Sequence, residues 1–254
     1  MGLDIYAGTL TRYYAGNWKS AVEQWADANG YSFSRITPEG DRIEEETLEP
    51  AEVQEAIEQW RDWLLETLAS EEQSYSPWPE NNTADYYTDK PDWPAWGALL
   101  LYSACLKYGQ TCPEQVAKNW DFAAEPLVQR ALADEQFKWS LFSGVTIWLP
   151  LEGAFWFQGP GPAGDDCIMA TLDALRAELA YINARGWQAE EAEIISWSEA
   201  EGYPVEGEAA GQAVQSVSEV SVYQTQSLAK FAYAMLYQAL IFAEAQRCAI
   251  ILDY

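Results

Sequence analysis

The sequence predicts an α+β fold that is predominantly helical, with a small mixed or antiparallel sheet formed largely by the C-terminal half. Segments with helical spacing of apolar residues outnumber the short apolar runs that are typical of strands. The predicted strands are few and unevenly spaced, so they do not alternate with helices as in α/β proteins. Hydrophobic residues make up 49% of the 254-residue chain, which is sufficient for a core. We predict a single domain over 1–254; the alternative is a subdivision into a mostly helical 1–138 and a strand-containing 139–254.

The N-terminal half is predicted to begin with a strand and to continue mainly as helices. Trp18, Val22 and Trp25 have helical spacing. Gly30 is a suitable C-terminal stop for that helix. Prolines near the first turn support two of the later helices, since proline is tolerated there. The predicted elements are strands over 1–8 and 31–36, and helices over 17–30, 50–69, 95–109, 112–122 and 125–136.

The helix predicted over 50–69 is the clearest element, because Pro50 suits its first turn and its two faces differ sharply. One face is apolar, and we call the opposite face the acidic ridge. Like charges at these spacings cost about 0.2–0.5 kcal/mol per pair, so the ridge indicates a functional use or adaptation to high salt. The apolar stripe comprises Val53, Ile57, Trp60, Leu64 and Leu68; the acidic ridge comprises Glu52, Glu55, Glu58, Asp62 and Glu66.

The segment 70–94 is predicted to be a long connection, because it contains four prolines at positions 77, 79, 91 and 94. A connection of this length without secondary structure is usually functional or disordered. Its aromatic residues argue against disorder. Tryptophan and tyrosine are common anchors of protein interfaces, so Trp78, Tyr86 and Tyr87 are candidate interaction residues.

The C-terminal half is predicted to contain most of the sheet. Short strands are expected on both sides of the glycine- and proline-rich stretch 159–164, which is interpreted as a turn between them. The final helix is apolar nearly all round and is therefore expected to be buried. The predicted elements are strands over 145–149, 153–158, 167–170 and 248–254, helices over 171–186 and 227–247, and an acidic connection over 201–215.

Charge is the strongest functional signal. Forty acidic residues stand against fourteen basic ones, which gives a formal net charge of −26. Such a surface repels nucleic acids and anionic membranes, because binding to these polyanions needs Lys and Arg. A basic protein is the complementary partner, although adaptation to high salt would produce the same composition. From 186 to 229 the sequence contains eight Glu and neither Lys nor Arg.

The composition also restricts chemistry. The chain has no histidine, which excludes Ser–His and Cys–His nucleophile systems and removes the commonest zinc ligand. The four cysteines have neither a CxxC pair nor metal-ligand spacing, so no cofactor is predicted. No apolar run reaches the length of a membrane span, and the N-terminus does not resemble a signal peptide. We therefore expect a cytoplasmic protein that does not bind membranes; its oligomeric state is not indicated.

Two further groups of residues are weak candidates for a site. Asp165 and Asp166 follow the glycine-rich turn, and adjacent carboxylates suit hard cations, but the turn lacks the pattern of a metal or phosphate loop. Asp4, Arg12 and Tyr13 lie close together in the sequence. Arg12 could bind a carboxylate or phosphate there, but a structural ion pair is the simpler interpretation.

These observations favour a non-enzymatic protein that binds a basic protein partner, such as an immunity-type inhibitor of a toxin or a nucleic-acid mimic. The alternative is a carboxylate-based enzyme or a binding module for a neutral, sugar-like ligand. Such a site would place carboxylates against tryptophan rings. Its candidate rings are Trp78, Trp93, Trp96, Trp148 and Trp156.

Overall fold

The computed structural model describes residues 2–34, 48–70, 73–204 and 222–254. It confirms the α+β class: helices surround a mixed six-stranded sheet, and a second, two-stranded sheet lies apart from it. The helices are α1 Leu10–Tyr14, α2 Ala21–Ala28, α3 Pro50–Leu68, α4 Asp92–Tyr108, α5 Pro126–Ala133, α6 Leu172–Arg185, α7 Glu191–Ala200 and α8 Thr225–Gln246. The strands are β1 Asp4–Gly8, β2 Tyr87–Asp89, β3 Gln115–Ala117, β4 Ile147–Leu149, β5 Trp156–Pro160, β6 Asp166–Thr171, β7 Val222–Gln224 and β8 Ala249–Asp253.

The six-stranded sheet has the order β2-β1-β8-β4-β6-β5. Strands β4 and β6 are parallel, and the other neighbours are antiparallel. Four of the strands follow residue 139, as predicted, whereas β1 and β2 come from the N-terminal part. Strand β8 joins the two groups, because it pairs with β1 on one side and with β4 on the other.

Successive side chains of a strand point to opposite faces of the sheet. In this sheet, buried apolar side chains lie on both faces. In β1, Ile5 and Ala7 belong to one hydrophobic core and Tyr6 belongs to the other. In β4, Trp148 and Ile147 divide in the same way. The sheet therefore separates two cores, one covered by α4 to α8 and the other covered by α1 and α3.

The larger core is built around α8, which is buried nearly all round as the sequence predicted. Helix α8 packs against α4, α6, α7 and strand β1. Tyr233 is 1% exposed, and its hydroxyl donates to the carbonyl of Leu179 on α6 at 2.9 Å. Helix α8 ends at Arg247, whose left-handed backbone directs the chain straight into β8. The last helix and the central strand thus form one continuous unit.

The smaller core lies under α3. The predicted apolar stripe is confirmed for Val53, Ile57 and Leu64, which are buried, while Trp60 and Leu68 are partly buried at its margins. The Trp60 indole donates to the carbonyl of Pro160 at 2.9 Å, which fixes α3 to the β5–β6 turn. The turn itself is confirmed: β5 and β6 pair antiparallel up to its base.

Several local predictions are wrong. The helix predicted over 112–122 is replaced by β3, in which Val116 is buried between two exposed neighbours, a period of two rather than 3.6. Its partner β7 is distant in sequence, so no local signal specifies it. Residues 31–34 form no strand, and 35–36 lie outside the described residues. Within 70–94 the structure adds β2 and starts α4 at Asp92, three residues before the predicted start.

Two helices were missed and one was overextended. Helix α1 is only five residues long and has no apolar period to reveal it. Helix α7 precedes the predicted acidic connection, of which 205–215 lie outside the described residues. The helix predicted over 17–30 is limited to α2, which starts at a capping box of Ser20 and Glu23. Val22 and Trp25 are exposed on it, so their spacing does not mark a core face.

A test of this packing concerns Gly97 in α4. A Cβ added there would lie 2.4 Å from Cγ of Phe122. We predict that Gly97→Ala lowers the free energy of unfolding by about 1–3 kcal/mol, because overpacking outweighs the better helix propensity of alanine. Denaturant unfolding measures this change. In the double variant with Phe122→Gly, which removes both the Cβ and the Cγ that the new methyl group meets, the alanine at position 97 should no longer destabilise; an additive effect would contradict the predicted contact.

Candidate functional site

The acidic ridge lies on the outer face of α3, away from the smaller core. Glu52, Glu55, Asp62 and Glu66 are exposed and Glu58 is half-buried. The amide of Gln54 donates to Glu58 at 2.9 Å, and that of Gln59 donates to Glu55 at 3.1 Å. These contacts are with neutral side chains, so they leave the negative charge of the ridge in place.

Arg61 is the single basic residue of α3, and it is turned inward. Its side chain is 11% exposed, whereas that of Asp62 is 60% exposed. The guanidinium donates to the carbonyl of Trp78 at 2.6 Å and contacts Asp62 at 2.9 Å. Of the five ridge carboxylates, Asp62 is thus paired with Arg61, whereas none of the other four lies within ion-pair distance of a cation among the described residues.

Trp63 is an exposed aromatic residue within this acidic face, and the sequence analysis missed it. Its side chain is 44% exposed. It lies three residues before Glu66, so the two share one side of the helix. The signal was available in the sequence, because Trp63 falls outside the apolar stripe that predicts the core face of the helix.

The three candidate residues of segment 70–94 lie in different parts of the structure. Trp78 is 1% exposed, so its ring packs in the smaller core and is not available to a partner. Tyr86 packs on Tyr6 at a ring distance of 5.7 Å. Tyr87 belongs to the opposite face of the sheet, and its hydroxyl donates to Asp89 at 2.9 Å. All three stabilise the fold, and the proposed role of the segment as an interface is not supported by their positions.

The N-terminal polar residues do not form one site. Asp4 contacts Lys90 at 3.4 Å, and burial raises the pKa of its carboxyl although Lys90 opposes that change. Arg12 donates to the backbone carbonyl of Asn17 at 2.7 Å and to that of Ala84. Its guanidinium also lies 4.3 Å from the ring centre of Tyr86. The expected structural role of Arg12 is therefore fulfilled by carbonyl groups and a ring rather than by an ion pair with Asp4.

Tyr13 has a different neighbour, which the sequence could not reveal. Its hydroxyl donates to Oδ1 of Asp253 at 2.7 Å, across 240 positions of the chain. Asp253 is the last residue of β8 and lies opposite Asp4 in the sheet register. This contact places Tyr13 at the edge of an open cleft of about 390 Å³ between α1, β8 and the β5–β6 turn.

The two adjacent aspartates of the turn point to different surroundings. Asp165 lines the open cleft, together with Tyr13, Tyr14, Asp253 and Tyr254. Asp166 accepts a bond from the amide of Gln158 at 3.3 Å. Within the described part of the chain, no three carboxylate or thiol side chains are grouped so that they could hold a metal ion. Asp165 and Asp166 thus have different neighbours, and no third ligand is grouped with them in that part of the chain.

The tryptophans proposed as sugar platforms are largely interior. Trp78, Trp96 and Trp148 are at most 6% exposed. Trp156 is 36% exposed and lines an open cleft with Asp134. The hydroxyl of Tyr108 donates to Asp134 at 2.8 Å, and this bond contributes most to lowering the pKa of that carboxyl. A carboxyl with a lowered pKa is a poor general acid, so the cleft gives little support to glycoside chemistry.

Two buried glutamates, neither of them predicted, hold the ends of short helices. Glu80 accepts from the backbone N–H of Thr11 at 2.8 Å at the start of α1. Glu178 accepts from the backbone N–H of Ser140 at 2.5 Å and from that of Leu141 at 3.1 Å, at the start of the 3₁₀-helix Ser140–Phe142. They lie in the two cores on opposite faces of the sheet, so they cannot act as a catalytic pair.

No protein-family model matches the sequence, and neither a curated protein nor a solved structure shows significant similarity to it. None of the helices in the described ranges combines the length and apolar character needed to cross a membrane. The function must therefore be argued from the surface of this chain itself.

The pH dependence of stability tests the Glu178 site. Burial raises the pKa of Glu178 to about 7, against the effect of its hydrogen-bond donors. The folded state then binds the extra proton, so this group contributes stability below about pH 5 that is lost as the pH rises to about 7. We predict that Glu178→Gln gains stability relative to wild type between pH 5 and 8, by roughly 2–3 kcal/mol.

Urea unfolding at several pH values measures this difference. The control is Glu199→Gln on the exposed surface of α7, which makes the same substitution without changing a buried group. A constant difference for Glu178→Gln would mean that the two backbone donors and the Ser140 hydroxyl, which donates to Glu178 at 2.9 Å, outweigh burial and keep the carboxylate ionised.

Proposed function

We propose that this protein is a non-enzymatic binding protein that engages a basic protein through the outer face of α3. The observation that carries the proposal is the arrangement on that face: Trp63 is exposed one helical turn from the ridge residue Glu66, and Arg61 is directed inward. Interface hot spots are enriched in tryptophan, and cations are attracted to its ring face. Carboxylates around such an anchor suit a partner that presents Lys and Arg.

The electrostatics of α3 support the same interpretation. Like charges three and four residues apart destabilise the free helix, as noted above. A basic partner would reduce this repulsion on binding. Part of the binding free energy would then come from the smaller repulsion between the carboxylates of the acidic ridge. The negative field would also raise the association rate at low ionic strength.

Helix α7 is the competing acidic surface, because it lies in the stretch without basic residues. It is partly compensated from α8, since Lys230 contacts Glu201 at 3.1 Å and its Nζ lies 4.8 Å from the ring centre of Trp197. Trp197 itself is buried. Helix α7 therefore offers no exposed aromatic anchor of its own, which favours α3.

An inhibitor is the class of binder that fits best, either of the immunity type against a basic toxin or as a mimic that occupies a nucleic-acid-binding surface. A row of carboxylates along one exposed helix resembles the regular spacing of charge that such surfaces recognise. The four cysteines are free thiols, which supports the proposed cytoplasmic location, where thiols stay reduced.

Charge reversal on α3 tests the proposal. The protein, immobilised at low salt, should retain a basic protein from a lysate of its own source cells and release it as salt rises. Glu55→Lys, Asp62→Lys and Glu66→Lys together should reduce retention at least tenfold, because attraction becomes repulsion. Quantitative mass spectrometry of the retained proteins measures the change.

The matched control reverses Glu190, Glu193 and Glu199 on or beside α7, which changes net charge equally at exposed positions. It should retain the same protein nearly as well as wild type. Trp63→Ala tests the anchor at constant charge and should weaken retention about fivefold. Equal loss in both triple variants would assign the binding to total charge and contradict a role for α3.

A further inference from the structure

The open cleft beside α1 has an unusual lining for a surface cavity. It lies where β8 ends and β4 begins, and the tip of the β5–β6 turn closes one side. Its walls contain three tyrosines and two aspartates: Tyr13, Tyr14, Tyr254, Asp165 and Asp253. None of the described residues that line it is basic. A cavity of about 390 Å³ is large enough to take a whole side chain or a small ligand.

Two cations of the described residues near the cleft, Lys90 and Arg12, are engaged elsewhere. Lys90 contacts Asp4 at 3.4 Å and Asp92 at 3.3 Å. The Arg12 guanidinium is held by backbone carbonyls and by the ring of Tyr86, as described above. The two carboxylates of the cleft are thus not neutralised by either of these side chains.

The groups in the cleft have complementary chemistry for a cation. A carboxylate offers about four lone-pair positions, and the Tyr13 hydroxyl occupies one of those of Asp253. Burial, together with the charges of Asp165 and Cys167, raises the pKa of the Tyr14 phenol, so its ring stays neutral at physiological pH. Neutral tyrosine rings and carboxylates together bind cations by cation–π attraction and charge-assisted hydrogen bonds.

We propose that this cleft binds a guanidinium group, and that within the proposed function the group is an arginine side chain of the basic partner. Guanidinium suits the lining better than ammonium, because it is planar, stacks on aromatic rings and donates in a fork to carboxylates. The assignment of the arginine to the basic partner rests on the proposed function. The guanidinium site itself does not rest on it. The cleft and α3 belong to the same layer, joined where Trp60 contacts Pro160 in the turn.

The test uses the full chain and two synthetic peptides. Acetyl-Gly-Arg-Gly-amide is titrated into ¹⁵N-labelled protein at low ionic strength and followed by NMR chemical shifts. Acetyl-Gly-citrulline-Gly-amide is the control, because citrulline keeps the shape of arginine and lacks its charge. The arginine peptide should shift resonances of α1, the β5–β6 turn and the end of β8 in a saturable way, and the citrulline peptide should bind at least fivefold more weakly.

The chain offers a matched pair of variants. Asp165→Asn removes a cleft carboxylate and should weaken binding of the arginine peptide about fivefold. Asp166→Asn removes the neighbouring carboxylate, which bonds Gln158 outside the cleft, and should leave binding within twofold of wild type. Asp253→Asn is a second test, since the asparagine oxygen can still accept from Tyr13 and maintain the fold.

Equal binding of both peptides, or equal effects of Asp165→Asn and Asp166→Asn, would overturn the guanidinium site. This assay involves neither the acidic ridge nor a natural partner. A cleft that binds the peptide while the α3 charge reversals leave capture unchanged would therefore contradict the proposed function and keep the site. If the α3 charge reversals reduce capture but Asp165→Asn has no specific effect on peptide binding, the proposed function is kept and the guanidinium site is contradicted.

Discussion

The pairing of β8 with β1 from the N-terminus and with β4 from the middle of the chain is the constraint on which the rest of the structure depends. Its residues are apolar on both sides: Ile250 and Leu252 enter the larger core, whereas Ala249 and Ile251 enter the smaller one. Strand β8 can occupy the centre only if helices cover both faces of the sheet. Helix α8 reaches it directly through the left-handed Arg247, so the largest helix and the central strand are placed together.

This constraint leads to an unequal distribution of layers. Five helices cover the larger core, while α1 and α3 cover most of the smaller one. Helix α3 is thus a single outer layer, with its apolar stripe on the sheet and its opposite face in water. The open cleft beside α1 lies on the same side, at an end of the sheet that no other element of the described residues covers. The acidic ridge and the open cleft therefore both lie on the side of the sheet that carries the smaller core.

Elements with strong local signals were predictable from the sequence. Helix α3 was placed within one residue because Pro50 marks its start and its two faces differ in polarity. The buried α8, the final strand and the β5–β6 turn were likewise specified by their own residues. Strand β3 was not, because its three residues are ordered by pairing with β7, far along the chain. Local periodicity carries no information about such a partner.

The candidate site was predictable only in part, for the same physical reason. Exposure of the acidic ridge follows from the helical period. The inward direction of Arg61 depends on the carbonyl of Trp78, and the burial of Trp78 depends on tertiary packing. The cleft unites Tyr13, Asp165 and Asp253 from three distant segments. Composition indicated a basic partner, but only the fold assigns the charge to particular surfaces.

The most direct test of the central claim is a zero-length carbodiimide cross-linking experiment on the complex captured at low salt. This reagent joins carboxylates to lysine amines in contact, so it reports which acidic residues face the basic partner. If the outer face of α3 contacts the partner, cross-links are expected at Glu52, Glu55, Asp62 and Glu66. Cross-links concentrated on α7, or spread evenly over the acidic surface, would contradict it.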